Sequence, residues 1–252
     1  MDIQKYLNRI QASKKIELNL DFLSYLQQQH VLNVFFENLD ILKKKPLSLQ
    51  KESLYKKIVF EQRGGICYEL NGLFFFLLEE LGFKPSIMTG TVYVGNGIWA
   101  PENAHMFLVV TLENKEYLVD VGFAGICPRL PIPLNGDEVV DINGIYRVMK
   151  DDTQSMFFLQ KKTDEEWETQ YRFEKSLNNW SLDKLNSICV QAETSPESVL
   201  NREYFLSRVK ENGRVTLLGN TFIVVNGTEK TKQKIEKDKI PEIVWEHFQL
   251  NL

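Results

Sequence analysis

A chain of 252 residues is long for one compact core and fits one large unit or two to three smaller ones. Its 43% hydrophobic and 25% charged content is that of a soluble globular enzyme, which excludes a disordered or fibrous chain. The net charge of −4 leaves no electrostatic footprint for nucleic acid, and the run from Lys230 to Lys239, broken by Glu236 and Asp238, reads as solvated surface.

The first residues carry Asp2, Lys5, Arg9, Lys14 and Lys15 with no apolar core, so they do not read as a secretory signal. Ile3, Tyr6, Leu7 and Ile10 form one helical stripe, and Leu20, Phe22, Leu23 and Leu26 a second. His30 follows Gln27-Gln28-Gln29 on a polar helix face and reads as structural or exposed. The segment Arg63-Gly64-Gly65-Ile66-Cys67-Tyr68-Glu69-Leu70-Asn71 then sets one cysteine behind two glycines. Leu70, Leu73, Phe74, Leu77, Leu78 and Leu81 follow at helical spacing, and Gly82 and Pro85 close the segment. Cys67 therefore falls at a helix N-terminus, where free peptide N–H groups and the positive end of the macrodipole favour a thiolate. The residues support two readings, a nucleophile or a small buried hydrophobe. In the first, the glycines allow a tight turn and leave the sulfur uncovered. The apolar run from Leu73 to Leu78 is too short to span a bilayer.

After Pro85 the segments become short and β-branched or aromatic: 87–94, 106–112, 117–123, 139–148, 156–161 and 167–173. They predict an antiparallel sheet or barrel. Of the three histidines, His247 lies in a C-terminal helix beside Trp245 and Phe248, whereas His105 opens the apolar strand Met106-Phe107-Leu108-Val109-Val110. A histidine at a strand mouth can be half buried and still face a cleft. Asp120 is enclosed in Tyr117-Leu118-Val119-Asp120-Val121-Gly122-Phe123, where a carboxylate must have firm partners. A two-residue turn at Asn114-Lys115 sets Asp120 opposite Val109, on the same sheet face as His105 but roughly 13 Å along the strand. Contact then needs a bulge, sheet twist or another turn.

Cys67, Cys127 and Cys189 are widely spaced and form no CxxC pair, so neither a disulfide framework nor a zinc site is implied, and a reducing, cytoplasmic setting is expected. The third region begins near Cys189. There 204–210, the pair Asn212-Gly213 and 215–218 spell a β-hairpin, 222–225 a further strand, and Pro241 the start of the last helix. The expected class is α+β, divided into a helical bundle over 1–83, a sheet or barrel over 84–188 and a mixed α/β part over 189–252.

The order Cys67, His105, Asp120 and its setting resemble the arylamine N-acetyltransferase family over nearly the whole chain. Tyr6-Leu7-Asn8-Arg9-Ile10 is similar to the family's N-terminal helix signature, and Phe36-Glu37-Asn38-Leu39 to its Phe-Glu-Asn-Leu segment. Arg63 to Asn71 resembles the nucleophile motif, His105 to Val110 the histidine strand, and Asp120-Val121-Gly122-Phe123 the aspartate motif. Weaker likenesses lie in Ser195-Pro196-Glu197-Ser198 and Gly213-Arg214-Val215-Thr216-Leu217. Ala124 departs from a frequent glycine, which narrows the approach to the cleft, and Leu200 departs from a common aromatic.

The resemblance implies a papain-like arrangement of helical bundle, β-barrel and α/β lid, with Cys67, His105 and Asp120 as a catalytic triad. It also implies a buried Arg9–Glu37 ion pair and an acceptor pocket lined by Phe36, Val92 and Phe123. The implied reaction is ping-pong transfer of an acetyl group from acetyl-CoA, through a Cys67 thioester, to an arylamine or hydrazine, with coenzyme A leaving first and no metal required. Such amines are largely neutral at pH 7, so an aromatic slot binds them without desolvating a cation. Two rivals stand beside it: a papain- or transglutaminase-like hydrolase using the same residues, and a non-catalytic binding module. No Gly-rich phosphate loop is evident, Gly95-Asn96-Gly97 being too short.

Overall fold

The computed structural model describes residues 1–153, 155–163, 165–175, 180–194 and 198–252. Five α-helices come first, α1 (Ile3–Arg9), α2 (Leu20–Asn33), α3 (Leu39–Leu42), α4 (Lys51–Tyr55) and α5 (Cys67–Glu80), with a π-helical turn, Lys56–Phe60, continuing α4 toward Cys67. Asp2 and Asn19 cap α1 and α2 by accepting from Lys5 N and Phe22 N. Most of the predicted stripes are buried, Leu20 being exposed and Ile3 partly so: Tyr6, Leu7 and Ile10 pack with Leu23 and Leu26 around α5, whose Leu70, Leu73, Phe74, Leu77 and Leu78 are at most 1% exposed. His30, expected on a polar face, is instead fully buried between Tyr6 and Phe74. The glutamines misled because α2 is covered on that side as well; Gln27 is also fully buried and donates to Pro128 O.

Nine strands follow: β1 (Pro85–Gly95), β2 (Ile98–Trp99), β3 (His105–Leu112), β4 (Lys115–Val119), β5 (Ile132–Pro133), β6 (Val139–Asp141), β7 (Gly144–Asp151), β8 (Met156–Thr163) and β9 (Glu166–Glu174). They form one sheet in the order β5-β4-β3-β1-β9-β8-β7-β6, with β2 on β1, and every pairing is antiparallel. The sheet curls until β5 approaches β7, giving a nearly closed barrel. The segment 139–148, read as one strand, is a hairpin, β6 and β7, turning at Ile142-Asn143. The segment 117–123 stays in the sheet only to Val119.

Helix α6 (Leu182–Thr194) went unpredicted among polar residues, although Leu182, Leu185 and Cys189 recur at helical spacing and are all buried. The four strands β10 (Phe205–Lys210), β11 (Gly213–Leu218), β12 (Thr221–Asn226) and β13 (Glu229–Lys234) form a second antiparallel sheet. The predicted hairpin is β10–β11, but it turns at Glu211-Asn212 and not at Asn212-Gly213, since Gly213 already pairs with Lys210; β13 is an exposed edge strand where only a solvated charge run was expected. Its lysines suit an edge, where charge opposes pairing with another chain. Helix α7 (Ile240–Phe248) covers one face of this sheet, burying Ile240, Val244 and Phe248 against Leu206, Val215 and Leu217, with Phe35 and Leu39 closing the cluster. Ser195, Pro196 and Glu197 lie outside the described residues. The fold is α+β.

Candidate active site

The site is assembled where α5, β3 and the loop after β4 meet. Cys67 is the first residue of α5; it is 5% exposed, and its sulfur lies 3.9 Å from Ala104 O. Gly64 and Gly65 act differently from the tight turn expected of them. Neither has a positive φ. A Cβ at Gly64 would stand 2.0 Å from Phe35 O, and one at Gly65 2.7 Å from Glu69 Oε2. The pair is bare because the backbone is pressed against its neighbours: Gly65 O accepts from Glu37 N at 3.0 Å, and Glu69 Oε2 accepts from Ile66 N at 3.0 Å, closing the N-terminus of α5.

The hairpin register brings histidine and aspartate together. The β3–β4 turn is at Glu113-Asn114, not Asn114-Lys115, and both residues have the positive φ (49° and 62°) of a tight hairpin turn. Leu108 therefore pairs with Val119, and one further step sets Asp120 opposite Phe107. That makes His105 and Asp120 diagonal neighbours on one face, within reach of long side chains. His105 Nε2 and Asp120 Oδ2 are 2.7 Å apart, with side chains 3% and 0% exposed.

Asp120 is fully partnered. Oδ2 accepts from His105 Nε2 and from Tyr171 Oη at 3.1 Å; Oδ1 accepts from Asn71 Nδ2 at 3.0 Å and Gly122 N at 2.9 Å. Burial alone would raise its pKa, but the His105 charge and these hydrogen bonds hold it below the usual carboxylate range. Burial likewise opposes the charged form of His105, yet the Asp120 charge and hydrogen bond, aided by Cys67, raise its pKa to about 10. With Nε2 on Asp120, Nδ1 is the nitrogen left for the sulfur. Burial and the Asp120 charge push Tyr171 well upward, so it stays a neutral donor. Gly90, in register with His105, makes room for this ring, since a Cβ there would lie 3.1 Å from Tyr171.

Asn71 and Tyr171 were missed as site residues. The signal for Asn71 was present: one helical turn after Cys67, it shares the cysteine's face of α5. Its amide also donates to Met106 O at 2.8 Å and accepts from Val121 N at 3.0 Å, tying helix, strand and aspartate loop together. Gly122 is required by contact, because a Cβ would stand 2.8 Å from Cys67 Cα. Ala124 has φ 39°, in the left-handed region that favours glycine.

Of the expected pocket residues, Phe123 lies against the imidazole with ring centroids 4.9 Å apart. Val92 is in register with Tyr171, and Phe36 is bridged through its backbone to Gly65 while its ring packs 5.0 Å from Phe205. The Arg9–Glu37 pair is replaced by other partners. Arg9 donates to the carbonyls of Asn33 at 2.6 Å and Ile58 at 2.9 Å, closing exposed backbone ends. Glu37, fully buried, accepts from Arg63 Nη2 at 2.6 Å and Leu39 N at 2.7 Å, while Lys57 joins Glu69 at 2.7 Å and Asp40 at 2.9 Å. Lys57 and Arg63 approach these carboxylates from the loop and helix leading to Cys67, nearer than α1 reaches.

Comparison with known proteins identifies the family. The N-acetyltransferase family profile matches residues 19–252. The Bacillus subtilis acetyltransferase YvcN is 33% identical over 219 residues, 84% of each chain. An arylamine N-acetyltransferase of Mycobacterium bovis is 31% identical over 92% of this chain and 83% of its own. The crystal structure of a Bacillus cereus arylamine N-acetyltransferase, described as revealing a unique Cys-His-Glu catalytic triad, superimposes with a TM-score of 0.90 at 28% identity over 100% of both chains. In the present chain the acidic group beside the histidine is Asp120. By sequence, fold and the setting of Cys67, this chain belongs to the arylamine N-acetyltransferase family.

Proposed function

We propose that the protein transfers an acetyl group from acetyl-CoA to an arylamine or arylhydrazine by a ping-pong reaction in which Cys67 carries the acetyl group. The observation that supports this reading is the buried His105 ring, held by Asp120 on one nitrogen and free to meet the Cys67 sulfur with the other. His105 holds the proton given up by Cys67, so the sulfur attacks the acetyl carbonyl carbon as a thiolate. The carbon–sulfur bond to coenzyme A breaks, and His105 returns a proton to the departing thiolate. In the second half the amine nitrogen attacks the Cys67 thioester, His105 takes its proton, and Cys67 leaves as thiolate.

Asp120 orients the imidazole and stabilises its positive charge. The first amides of α5, which begins at Cys67, serve as donors to the tetrahedral oxyanion. Phe123, with Phe36 and Val92, forms the apolar wall that receives a neutral aromatic amine. The test is intact-mass spectrometry after mixing the protein with acetyl-CoA alone. One acetyl group should appear on the Cys67 peptide and be absent from Cys67→Ala. No adduct, or an adduct that survives the substitution, would overturn the mechanism.

A further inference from the structure

A polar cavity of about 320 Å³ opens where turns of the two sheets face each other. Asn143 from the β6–β7 turn and Lys161 from β8 line it on one side, and Arg214, Val225 and Asn226 from the second sheet on the other. Lys161 is set in place by its surroundings. Its stem crosses Gly144, where a Cβ would stand 2.7 Å from Lys161 Cε, and its ammonium lies 5.7 Å from the centroid of the Tyr146 ring. Arg214 runs beside Gly125, whose Cβ position is 3.2 Å from Arg214 Cδ.

Among the described residues, neither Lys161 nor Arg214 has a carboxylate within ion-pairing distance. Asn143 Nδ2 is buried with no hydrogen-bond partner. Burial, joined at Lys161 by the Arg214 and Lys230 charges, pushes the pKa of each cation down. Asp141 and Glu168 pull Lys161 the other way, but Asp141 is engaged by Arg129 N and by Asn143 N at 3.2 Å. Two half-buried cations that repel each other beside an unsatisfied amide are unfavourable unless an anion rich in acceptor oxygens joins them.

We propose that this cavity is a binding site for phosphate groups, gripped by Lys161, Arg214 and the Asn143 amide. The loop after β4 connects it to the nucleophile. Gly122 touches Cys67 and Gly125 touches Arg214, with at most about 11 Å of chain between the two glycines. A donor bearing its thioester at one end of a long arm and its phosphates at the other can occupy both places. That source for the phosphates rests on the acetyl-CoA reading above; the phosphate site itself does not.

The experiment is calorimetric titration of the full chain with pyrophosphate and with adenosine 3′,5′-bisphosphate, comparing wild type with Lys161→Gln and Arg214→Gln. Each substitution should weaken binding about tenfold or more, as expected for loss of a charge-assisted hydrogen bond. Lys161→Arg, which keeps the charge, should restore most of it and guards against a folding defect. Steady-state kinetics with acetyl-CoA and with S-acetylpantetheine, which lacks the nucleotide, identify the source. A raised KM for acetyl-CoA alone, at unchanged kcat, assigns the phosphates to the donor; weakened pyrophosphate binding with unchanged KM assigns the site to a free phosphate compound. No binding to wild type, or equal binding to all variants, overturns the proposal. Acetylation of Cys67 is read separately by mass, so failure of the transfer reaction is not confused with failure of the site.

Discussion

Asn71 shows how one side chain can hold a site without reacting in it. Its amide contacts strand β3, the Asp120 carboxylate and the backbone after it, so it sets the distance between the elements carrying Cys67 and Asp120. A hydrogen bond to a charged group is worth about 1.5–3 kcal/mol. Asn71→Ala is therefore expected to lower kcat/KM for acetyl transfer by about 10- to 100-fold. As a positioning residue it should act mainly on kcat, with KM for the amine little changed. A variant that instead raised KM alone would show that Asn71 serves substrate binding. Cys127 illustrates the opposite case: it is buried and accepts from Phe123 N at 2.6 Å, and burial pushes its thiol up, so it is a packed hydrophobe.

At the scale of elements, the β3–β4 hairpin decides whether a triad exists at all. Moving the turn back by one residue shifts the register by two and keeps the face, which is why parity predicted the shared side correctly while the distance was wrong. Helix α2 carries a different consequence. His30 is fully buried with neither ring nitrogen hydrogen-bonded, and burial, with the Arg9 charge, lowers its pKa to about 3. A histidine with a folded pKa below its unfolded value near ~6.5 favours folding while neutral; that stability is complete above about pH 6.5 and is lost as pH falls toward 3. At pH 5 the loss is about 2 kcal/mol. Urea midpoints measured from pH 7 to pH 4 should fall less steeply for His30→Phe than for wild type. Equal slopes would mean that His30 does not drive acid unfolding.

Across the whole molecule, the first sheet packs on α5 through β1 and β3, whereas the second meets the helical part through the segment 36–39. Phe36 exchanges backbone hydrogen bonds with Ser207, both at 2.9 Å, while Glu37 N bonds Gly65 O two residues before Cys67. Asn38, 1% exposed, donates to Leu200 O at 2.7 Å and Glu203 O at 2.8 Å and accepts from Phe205 N at 2.8 Å, pinning the start of β10. Removing that amide takes a partner from three part-buried backbone groups, and each such hydrogen bond contributes about 0.5–1.5 kcal/mol. Asn38→Ala is expected to destabilise the protein by about 2–4 kcal/mol and to speed hydrogen exchange over residues 198–218 more than over β1–β9. Uniform loss of protection would show that the second sheet does not open separately.

How far the chain could be read in advance follows from which interactions are local. Helical stripes, the stop at Gly82 and Pro85, and the existence of the β10–β11 hairpin depend on neighbours within a few residues, and they were legible, although its turn lies one residue earlier than Asn212-Gly213. So were Cys67 at the start of α5 and the separate motifs of the family, because these are runs of adjacent residues. Helix α6 was obscured by its polar composition and β13 by its charge, since a weakly apolar helix and an exposed edge strand leave little periodic signal. The Arg9–Glu37 pair failed for a related reason: a buried carboxylate must find a cation, but sequence does not say which of Arg9, Lys57 and Arg63 arrives first.

By itself, then, the sequence determined an α+β chain of the arylamine N-acetyltransferase family, with a helix-start cysteine and a histidine and aspartate on one sheet face. Only the tertiary structure decided that the two are 2.7 Å apart, that Asn71 and Tyr171 complete the carboxylate's partners, and that Lys161 and Arg214 share a cavity. Local order follows from periodicity and turn chemistry, whereas contacts between distant segments depend on register and packing, which no single stretch of sequence encodes.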